Sequence, residues 1–394
     1  MYVHRHLQPT LSAALAHFPA VLVTGPRQAG KTTFLRAEAP PNARYVTFDD
    51  PLIRAFAVED PNGLLDREPD RPLILDEVQY VPEILPHLKI RIDRERDRYG
   101  RYLLTGSQRF PLMQGVTESL AGRVAVLDLL PFSFSEAPAL ADEGLEQVIW
   151  RGGYPDPVLR PAARELWISS YVQTYVERDV RQVRDIQNLR TFEQFLGLCA
   201  ARHGGPFELA SLARDCGVSQ PTARGWGSVL EASYLAALVP PYERNYGKRL
   251  TRTPRLYFLD PALVCAWTRQ PSAEAALAGA MGGALFEGLI VAEALKGMAS
   301  LGRRPDLWFW RSHDGVEVDL LVGTRHGVVP VEIKLSATPS PHHLEPMAKL
   351  RALAGKELAP GLLVCRVAEP TPMPGGALAL PWRMWPDWLR AALL

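Results

Sequence analysis

The stretch Gly25-Pro26-Arg27-Gln28-Ala29-Gly30-Lys31-Thr32-Thr33 places two glycines just ahead of a lysine and a hydroxyl residue, in the pattern G-x-x-x-x-G-K-[ST]. Glycines so spaced let backbone N–H groups close around a phosphate at the start of a helix, where the helix dipole is also positive. Lys31 would then reach the β- and γ-phosphates of a nucleotide, and Thr32 would hold Mg²⁺. A second polar pair, Asp76-Glu77, ends the apolar run Leu73–Leu75. There Asp76 would bind Mg²⁺ through water and Glu77 would orient or deprotonate an attacking water. Ser107-Gln108 ends a third apolar run, where a polar side chain would sense the γ-phosphate or position water; Ser107 is the stronger candidate, and a plain turn is the competing reading of Gln108. The chemistry such a set would perform is nucleotide hydrolysis.

A separate set lies near the C-terminus: Glu287, Asp319, Glu332 and Lys334. Side chains of a strand alternate faces, so Glu332 and Lys334 point one way with Ile333 opposite, and Glu317 and Asp319 likewise share a face. Neighbouring strands would bring Asp319, Glu332 and Lys334 together, with Glu287 approaching from a helix. Buried carboxylates need a counter-charge. Mg²⁺ held by Asp319 and Glu332 would supply it and activate water for phosphodiester hydrolysis, with Lys334 orienting that water. The bland alternative is a Lys–carboxylate cluster that stabilises a scaffold and cuts nothing. Glu317 belongs at its rim.

Cationic side chains complete the inventory. Arg123 and Arg178 are candidates for stabilising phosphoryl-transfer charge, commonly from a neighbouring subunit, against an ordinary structural role. The net charge is only +1, so DNA binding would need a local patch. Arg244, Lys248, Arg249, Arg252 and Arg255 form one, suited to phosphate contacts that position DNA without reading its sequence; a solvated, packing-only module is the alternative.

These groups require particular elements. Ala20–Thr24 reads as a buried strand, followed by the glycine loop and a helix, the context that makes the motif a P-loop. Leu209, Leu212 and Ala213 mark a short helix, Gly217 a turn, and Ser219 the cap of a helix from about Gln220 to Ala232. That is a helix-turn-helix pattern, with a wing to follow. Trp226 belongs in its core. From Gly282 onward the order is α-β-β-β-α-β. Hydrophobic residues make up 47% and charged residues 22% of 394, ordinary for a globular chain long enough for two or three domains. The four cysteines lack C-x-x-C spacing and read as core residues. No apolar run reaches the roughly 18 residues of a membrane span, which leaves the cytoplasm as the expected location.

The blocks GPRQAGKTT, LILDEVQ, LLTGSQ, LAGRV, RGGYPDP and YVERDV, in this order, resemble a large prokaryotic ATPase family. Its members have an AAA-type motor followed by domain of unknown function 4143. The resemblance implies an α/β fold with a P-loop AAA-type ATPase core at 1–150, ATP and Mg²⁺ as cofactors, and a homo-oligomer, possibly a hexameric ring. A helical lid or linker is expected at 151–200 and a winged-helix domain at 201–262. A restriction-endonuclease-like α/β domain is expected at 275–394, where Glu287, Asp319, Glu332 and Lys334 resemble the PD-(D/E)xK nucleases. The expectation is an ATP-dependent DNA motor joined to a Mg²⁺-dependent endonuclease, acting on branched DNA such as Holliday junctions in recombination or repair. The rival is a signalling or defence ATPase switch with an inactive nuclease-like scaffold.

Overall fold

The computed structural model describes residues 2–107, 116, 118–182, 189–243, 253–354 and 358–394. It divides into two compact units. The first comprises Met1–Phe132 with Ala232–Tyr234 and Ala299–Arg303; the second comprises Ser133–Glu231, Leu235–Met298 and Arg304–Leu394.

The first unit is built on a parallel sheet of five strands: β1 (Ala20–Thr24), β2 (Arg44–Thr47), β3 (Leu73–Asp76), β4 (Tyr102–Thr105) and β5 (Val124–Asp128), in the order β2-β3-β4-β1-β5. All five residues of β1 are buried, as a central parallel strand covered on both faces requires. Its side chains alternate between two cores. Ala20 and Leu22 join Leu75, Leu104, Leu85 and Leu88, while Val21 and Val23 join Leu103, Phe34, Leu7 and Leu11. Parallel pairing aligns the carboxyl ends of β1, β3 and β4 along one edge, the edge where open α/β sheets bind ligands.

In the second unit the helices Leu209–Cys216 and Gln220–Ala232 are joined through Gly217, whose φ of +66° lies in the left-handed region. Ser219 Oγ accepts from Thr222 N at 3.2 Å and starts the second helix. Trp226 is buried edge-on against Phe192 and Phe195. An antiparallel pair follows, β6 (Ala236–Val239) and β7 (Arg255–Phe258).

The helix Gly282–Ser300 precedes the remaining strands: β8 (Leu307–Arg311), β9 (Glu317–Thr324), β10 (Gly327–Ile333), β11 (Leu362–Cys365), β12 (Thr371–Pro372) and β13 (Leu378–Pro381). Their order is β12-β13-β11-β10-β9-β8. β8, β9 and β10 pair antiparallel, and β10, β11 and β13 pair parallel, with the helix Glu345–Ala354 between β10 and β11 in sequence. The four cysteines are buried and unbridged.

One sequence expectation requires correction. Arg255 is no exposed phosphate ligand: it is 6% exposed, because β7 turns its guanidinium into an acidic cluster. Arg123 sits just before β5, at the sheet end opposite the P-loop, with its carbonyl bonded to Ala20 N. Both Asp93 oxygens bind its guanidinium, at 2.6 and 3.0 Å, which removes it from its own chain's nucleotide edge. Gln108, Arg244, Lys248, Arg249, Arg252 and the side chain of Arg178 lie outside the described residues.

Candidate functional site

Two polar centres are assembled, one in each unit. In the first unit, Gly25 leaves β1 with φ +143°, and a Cβ there would lie 2.1 Å from Leu129 O. Gln28 (φ +60°) and Gly30 (φ +91°) complete the turn. Successive residues of such conformation form an anion-binding concavity. Pro26 and Ala29 are buried, Arg27 and Gly30 half-buried, and Gln28 and Thr33 exposed. The helix Lys31–Glu38 starts at once. Lys31 is buried, its Nζ 3.1 Å from Gly25 O and 2.8 Å from Pro26 O.

Asp76 is 3% exposed and accepts three hydroxyl bonds: Thr32 Oγ1 (2.8 Å) and Thr105 Oγ1 (2.6 Å) on Oδ1, and Tyr45 (2.7 Å) on Oδ2. Burial, and then Asp76 beside it, push the Tyr45 hydroxyl up to about 12. A carboxylate in contact with a threonine hydroxyl beside the phosphate loop is a hard-oxygen donor set that fits Mg²⁺. Glu77 adopts the left-handed conformation (φ +57°, ψ +47°), held by its N–H donating to Thr105 Oγ1 at 2.9 Å. For a non-glycine residue this costs about 1–2 kcal/mol. Its carboxylate accepts from Gln79 Nε2 and from Ser107 Oγ (3.3 Å).

Three supports of this centre were not read from the sequence. Gln79 joins Glu77 to Ser107, with Nε2 3.3 Å from Ser107 Oγ. Arg5 donates to Ala29 O (3.1 Å) and Leu130 O (2.6 Å), and its guanidinium lies 4.6 Å from the Phe132 ring centroid. Tyr234 (φ +58°) has its hydroxyl 2.7 Å from Thr24 Oγ1 and from Asp128 Oδ1, beneath the start of the loop. Only Gln79 left a local signal, two positions after Glu77.

In the second unit, β9, β10 and the residue that follows β10 bring Asp319, Glu332 and Lys334 together. Lys334 Nζ lies 2.8 Å from Asp319 Oδ2 and 3.0 Å from Glu332 Oε2. Asp319 Oδ2 also accepts from Ile333 N at 2.9 Å. Strand β10 lies between β9 and β11, so Glu332 is only 1% exposed, and its Oε1 has no hydrogen-bond partner among the described residues. Burial first, then the Asp319 charge, push Glu332 up to about 9. Burial opposes the Lys334 charge, but Asp319 and Glu332 outweigh it and raise the ammonium above its ordinary value.

Glu287 comes from the helix Gly282–Ser300. Burial and Asp319 raise it to about 7, against the opposing pull of Arg255. Tyr257 donates to its Oε1 at 2.5 Å, and Arg255 Nη1 lies 3.4 Å from the same oxygen. Arg255 Nη2 donates to Glu317 Oε2, and Arg311 Nη1 lies 3.2 Å from Glu317 Oε1. Tyr257 was not read as a site residue, and Arg255, two positions before it on the same strand, was read as a DNA-phosphate contact rather than as a partner of these carboxylates. Among the described residues no group of three or more His, Cys, Asp or Glu side chains gathers as a metal cluster. Lys334 stands between Asp319 and Glu332, and Arg255 holds Glu287. Glu332 Oε1, without a hydrogen-bond partner among the described residues, is the one feature of this set that a divalent cation would relieve, since a buried carboxylate oxygen without a donor is costly.

Three families match the chain: AAA domain at 17–137, domain of unknown function (DUF8612) at 142–274 and domain of unknown function (DUF4143) at 282–385. Uncharacterized protein Rv2008c of Mycobacterium tuberculosis is 32% identical over 344 residues, covering 84% of this chain and 73% of that protein. Uncharacterized protein Mb2031c of Mycobacterium bovis gives the same values. Among solved structures, the Thermotoga maritima RuvB Holliday junction branch migration motor is 19% identical, covers 60% of this chain and 90% of its own, and has a TM-score of 0.32. Replication initiator DnaA bound to AMPPCP and single-stranded DNA is 13% identical, covering 57% and 86%, with a TM-score of 0.31. Structural likeness of that extent carries no argument about function.

Proposed function

The chain belongs to the family of the mycobacterial proteins Rv2008c and Mb2031c and is an AAA-type ATPase with a DUF4143 C-terminal region; from that premise we propose that it couples ATP hydrolysis to Mg²⁺-dependent cleavage of DNA. The observation that carries the cleavage half is the buried Glu332, whose Oε2 shares Lys334 Nζ with Asp319 Oδ2 and whose Oε1 has no hydrogen-bond partner among the described residues.

In the nucleotide centre, Lys31 and the loop backbone hold the phosphates, with Thr32 and Asp76 as the Mg²⁺ donors. Glu77 orients the attacking water and takes its proton, and Ser107 and Gln79 hold the Glu77 carboxylate in place. In the C-terminal centre Asp319 and Glu332 would hold one divalent cation. The cation would supply Lewis-acid stabilisation of the scissile phosphate and a water of lowered pKa. Lys334 fixes the Asp319 carboxylate and supplies positive charge beside the phosphate.

A motor and a cutting centre in one chain suit DNA that is moved as well as cut. Branched intermediates such as Holliday junctions meet that need, in a homo-oligomeric ring, a hexamer in the AAA pattern, where Arg178 would reach a neighbour's nucleotide. The segment carrying Arg244, Lys248, Arg249 and Arg252 would hold DNA phosphates. No helix among the described residues is long and apolar enough to cross a membrane.

A second reading, a nucleotide-dependent switch with an inactive scaffold, is favoured by the internal neutralisation of the carboxylates by Lys334 and Arg255. The deciding experiment incubates labelled four-way junction, fork and linear duplex with Mg²⁺, with and without ATP. Wild type is compared with Lys31→Ala and Glu332→Ala. Cleavage that needs Glu332, and ATP turnover that DNA stimulates and Lys31→Ala abolishes, support the proposal. Cutting that persists in Glu332→Ala, or none by wild type on any substrate, refutes the cleavage half.

A further inference from the structure

Away from both centres, helices of the second unit line a cavity of about 590 Å³, a volume typical of small-molecule sites. The helices are Leu145–Arg151, Arg164–Gln182, Leu189–Ala201 and Pro261–Trp267. Trp150, Ile168, Val172, Ala266, Trp267 and Pro271 give it an apolar lining, and every lining residue falls within the region 142–274 that matches DUF8612. At its wall lies Arg164, only 7% exposed. Its guanidinium stacks 3.6 Å from the Trp150 ring centroid, and its Nε donates to Trp150 O at 2.5 Å.

Those two contacts hold the guanidinium in place and leave Nη1 and Nη2 with no hydrogen bond or ion pair among the described residues. Burial lowers its pKa, against weaker opposing pulls from Cys265, Asp260 and Glu165. None of the three is a close counter-charge. Burial pushes the Cys265 thiol up to about 12, so it stays neutral. The Asp260 oxygens are taken by Ala262 N at 2.9 Å and Gly153 N at 2.8 Å, and Glu165 is exposed. A desolvated cation without a counter-charge is costly, and the planar fork of a guanidinium matches the two oxygens of a carboxylate. The other charged lining residues, Glu165, Glu193 and Arg269, are exposed and form no ion pair among the described residues. Arg269 stands just past the helix Pro261–Trp267 with φ +53°, where glycine is usual. Water screens these exposed charges far more than it screens Arg164. One negative charge is therefore drawn to the wall, while a second would meet Glu165 and Glu193.

We infer that this cavity binds a small molecule carrying a single carboxylate on an apolar body. The two carboxylate oxygens accept from Arg164 Nη1 and Nη2, and the body takes the space between the four helices. A phosphate ester, which carries more than one negative charge near neutral pH, is disfavoured by the two glutamates. The site is separate from nucleotide hydrolysis and from DNA cleavage, and neither proposal depends on it.

The test titrates 2-naphthoate and its uncharged counterpart 2-naphthamide into the full chain by calorimetry, in wild type and in R164M. A third probe, 2-naphthyl phosphate, is titrated into Lys31→Ala, so that the phosphate loop takes none of it. Wild type is expected to bind 2-naphthoate. The amide, the phosphate and the R164M variant are each expected to give binding weaker by about tenfold or more, because a charge-assisted pair is lost or opposed. No binding of 2-naphthoate by wild type means a cavity that holds water only, and overturns the inference. Equal binding of the amide, equal or tighter binding of the phosphate, or unchanged affinity in R164M overturns it too. Hydrogen exchange on wild type locates the probe even where R164M does not fold. Slowing is expected at 145–151, 164–173 and 261–271, and slowing only outside them overturns the inference.

Discussion

Thr32 Oγ1 donates to Asp76 Oδ1 across 2.8 Å, tying the first turn after the phosphate loop to the end of β3. The two hard-oxygen donors proposed for Mg²⁺ therefore sit in one hydrogen-bonded unit, and Glu77, the residue proposed to activate water, is the next along the chain.

Separate roles for neighbouring residues follow. Glu77→Gln is expected to bind ATP with an affinity near wild type and to turn it over about 100-fold or more slowly, as loss of a general base does. Lys31→Ala is expected to lose binding as well. Fluorescent-nucleotide titration alongside phosphate release separates the two. Equal loss of binding in both variants would remove Glu77 from proton transfer.

Arg5 anchors the loop from outside the motif. Its two bonds to Ala29 O and Leu130 O are charge-assisted and buried. Arg5→Leu is expected to cost about 3 kcal/mol, taking about 1.5 kcal/mol for each such bond. It is also expected to weaken nucleotide binding without altering turnover of the bound fraction. Urea unfolding measures the first effect and single-turnover kinetics the second.

His203 provides a pH signature. Burial pushes it down to about 4. Its Nδ1 accepts from Phe258 N (3.1 Å), and its Nε2 lies 1.7 Å from where a Cβ on Gly288 would stand. The folded chain keeps this imidazole neutral, while the unfolded chain protonates it below about 6.5. Stability from this group is complete above that value and is lost as pH falls toward 4, by about 3 kcal/mol in total. The difference in unfolding free energy between wild type and His203→Gln, followed across that window, is the measurement. A difference independent of pH would contradict the assignment. Gly288→Ala is expected to destabilise the fold outright, because the added methyl and the imidazole claim the same volume.

Glu332 has the opposite sign. Burial and Asp319 hold it near 9 in the folded chain against an ordinary value of 4.5. Without a divalent cation its contribution is full below the ordinary value and is lost as pH rises toward 9. Glu332→Gln is therefore expected to raise the melting temperature in EDTA at pH 8. Mg²⁺ is expected to raise it for wild type and leave the variant unchanged, by mass action on the folded state. Calorimetry with and without Mg²⁺ reads both.

The relation between sequence and site differs between the two centres for a physical reason. Gly25 through Thr33 is contiguous, and a tight turn before a helix is governed by local φ, ψ and capping, so its shape follows from residue types nearby. Asp76 and Glu77 follow from the end of one apolar run. In the second unit, the Ser219 cap and the helix it starts are equally local. Strand alternation puts Glu332 and Lys334 on one face without reference to anything distant.

Arg255 marks where this reasoning stops. In sequence it belongs with Arg244, Lys248, Arg249 and Arg252 as part of a basic run, and charge alone reads as a surface for DNA. Packing of β7 against the acidic sheet instead buries it between Glu287 and Glu317, positions 32 and 62 residues away. Arg123 is similar: its neighbours say nothing of Asp93, and only strand order places it at the far end of the sheet.

The sequence by itself determined the phosphate loop, the acidic strand end that faces it, and which carboxylates could share a face, because each depends on backbone conformation within a few residues. Tertiary structure alone decided which charges meet. Arg5 reaches the loop, Tyr234 reaches Thr24, and Arg255 rather than solvent neutralises Glu287. Those pairings are set by burial, where an uncompensated charge costs several kcal/mol and finds its partner through space rather than along the chain.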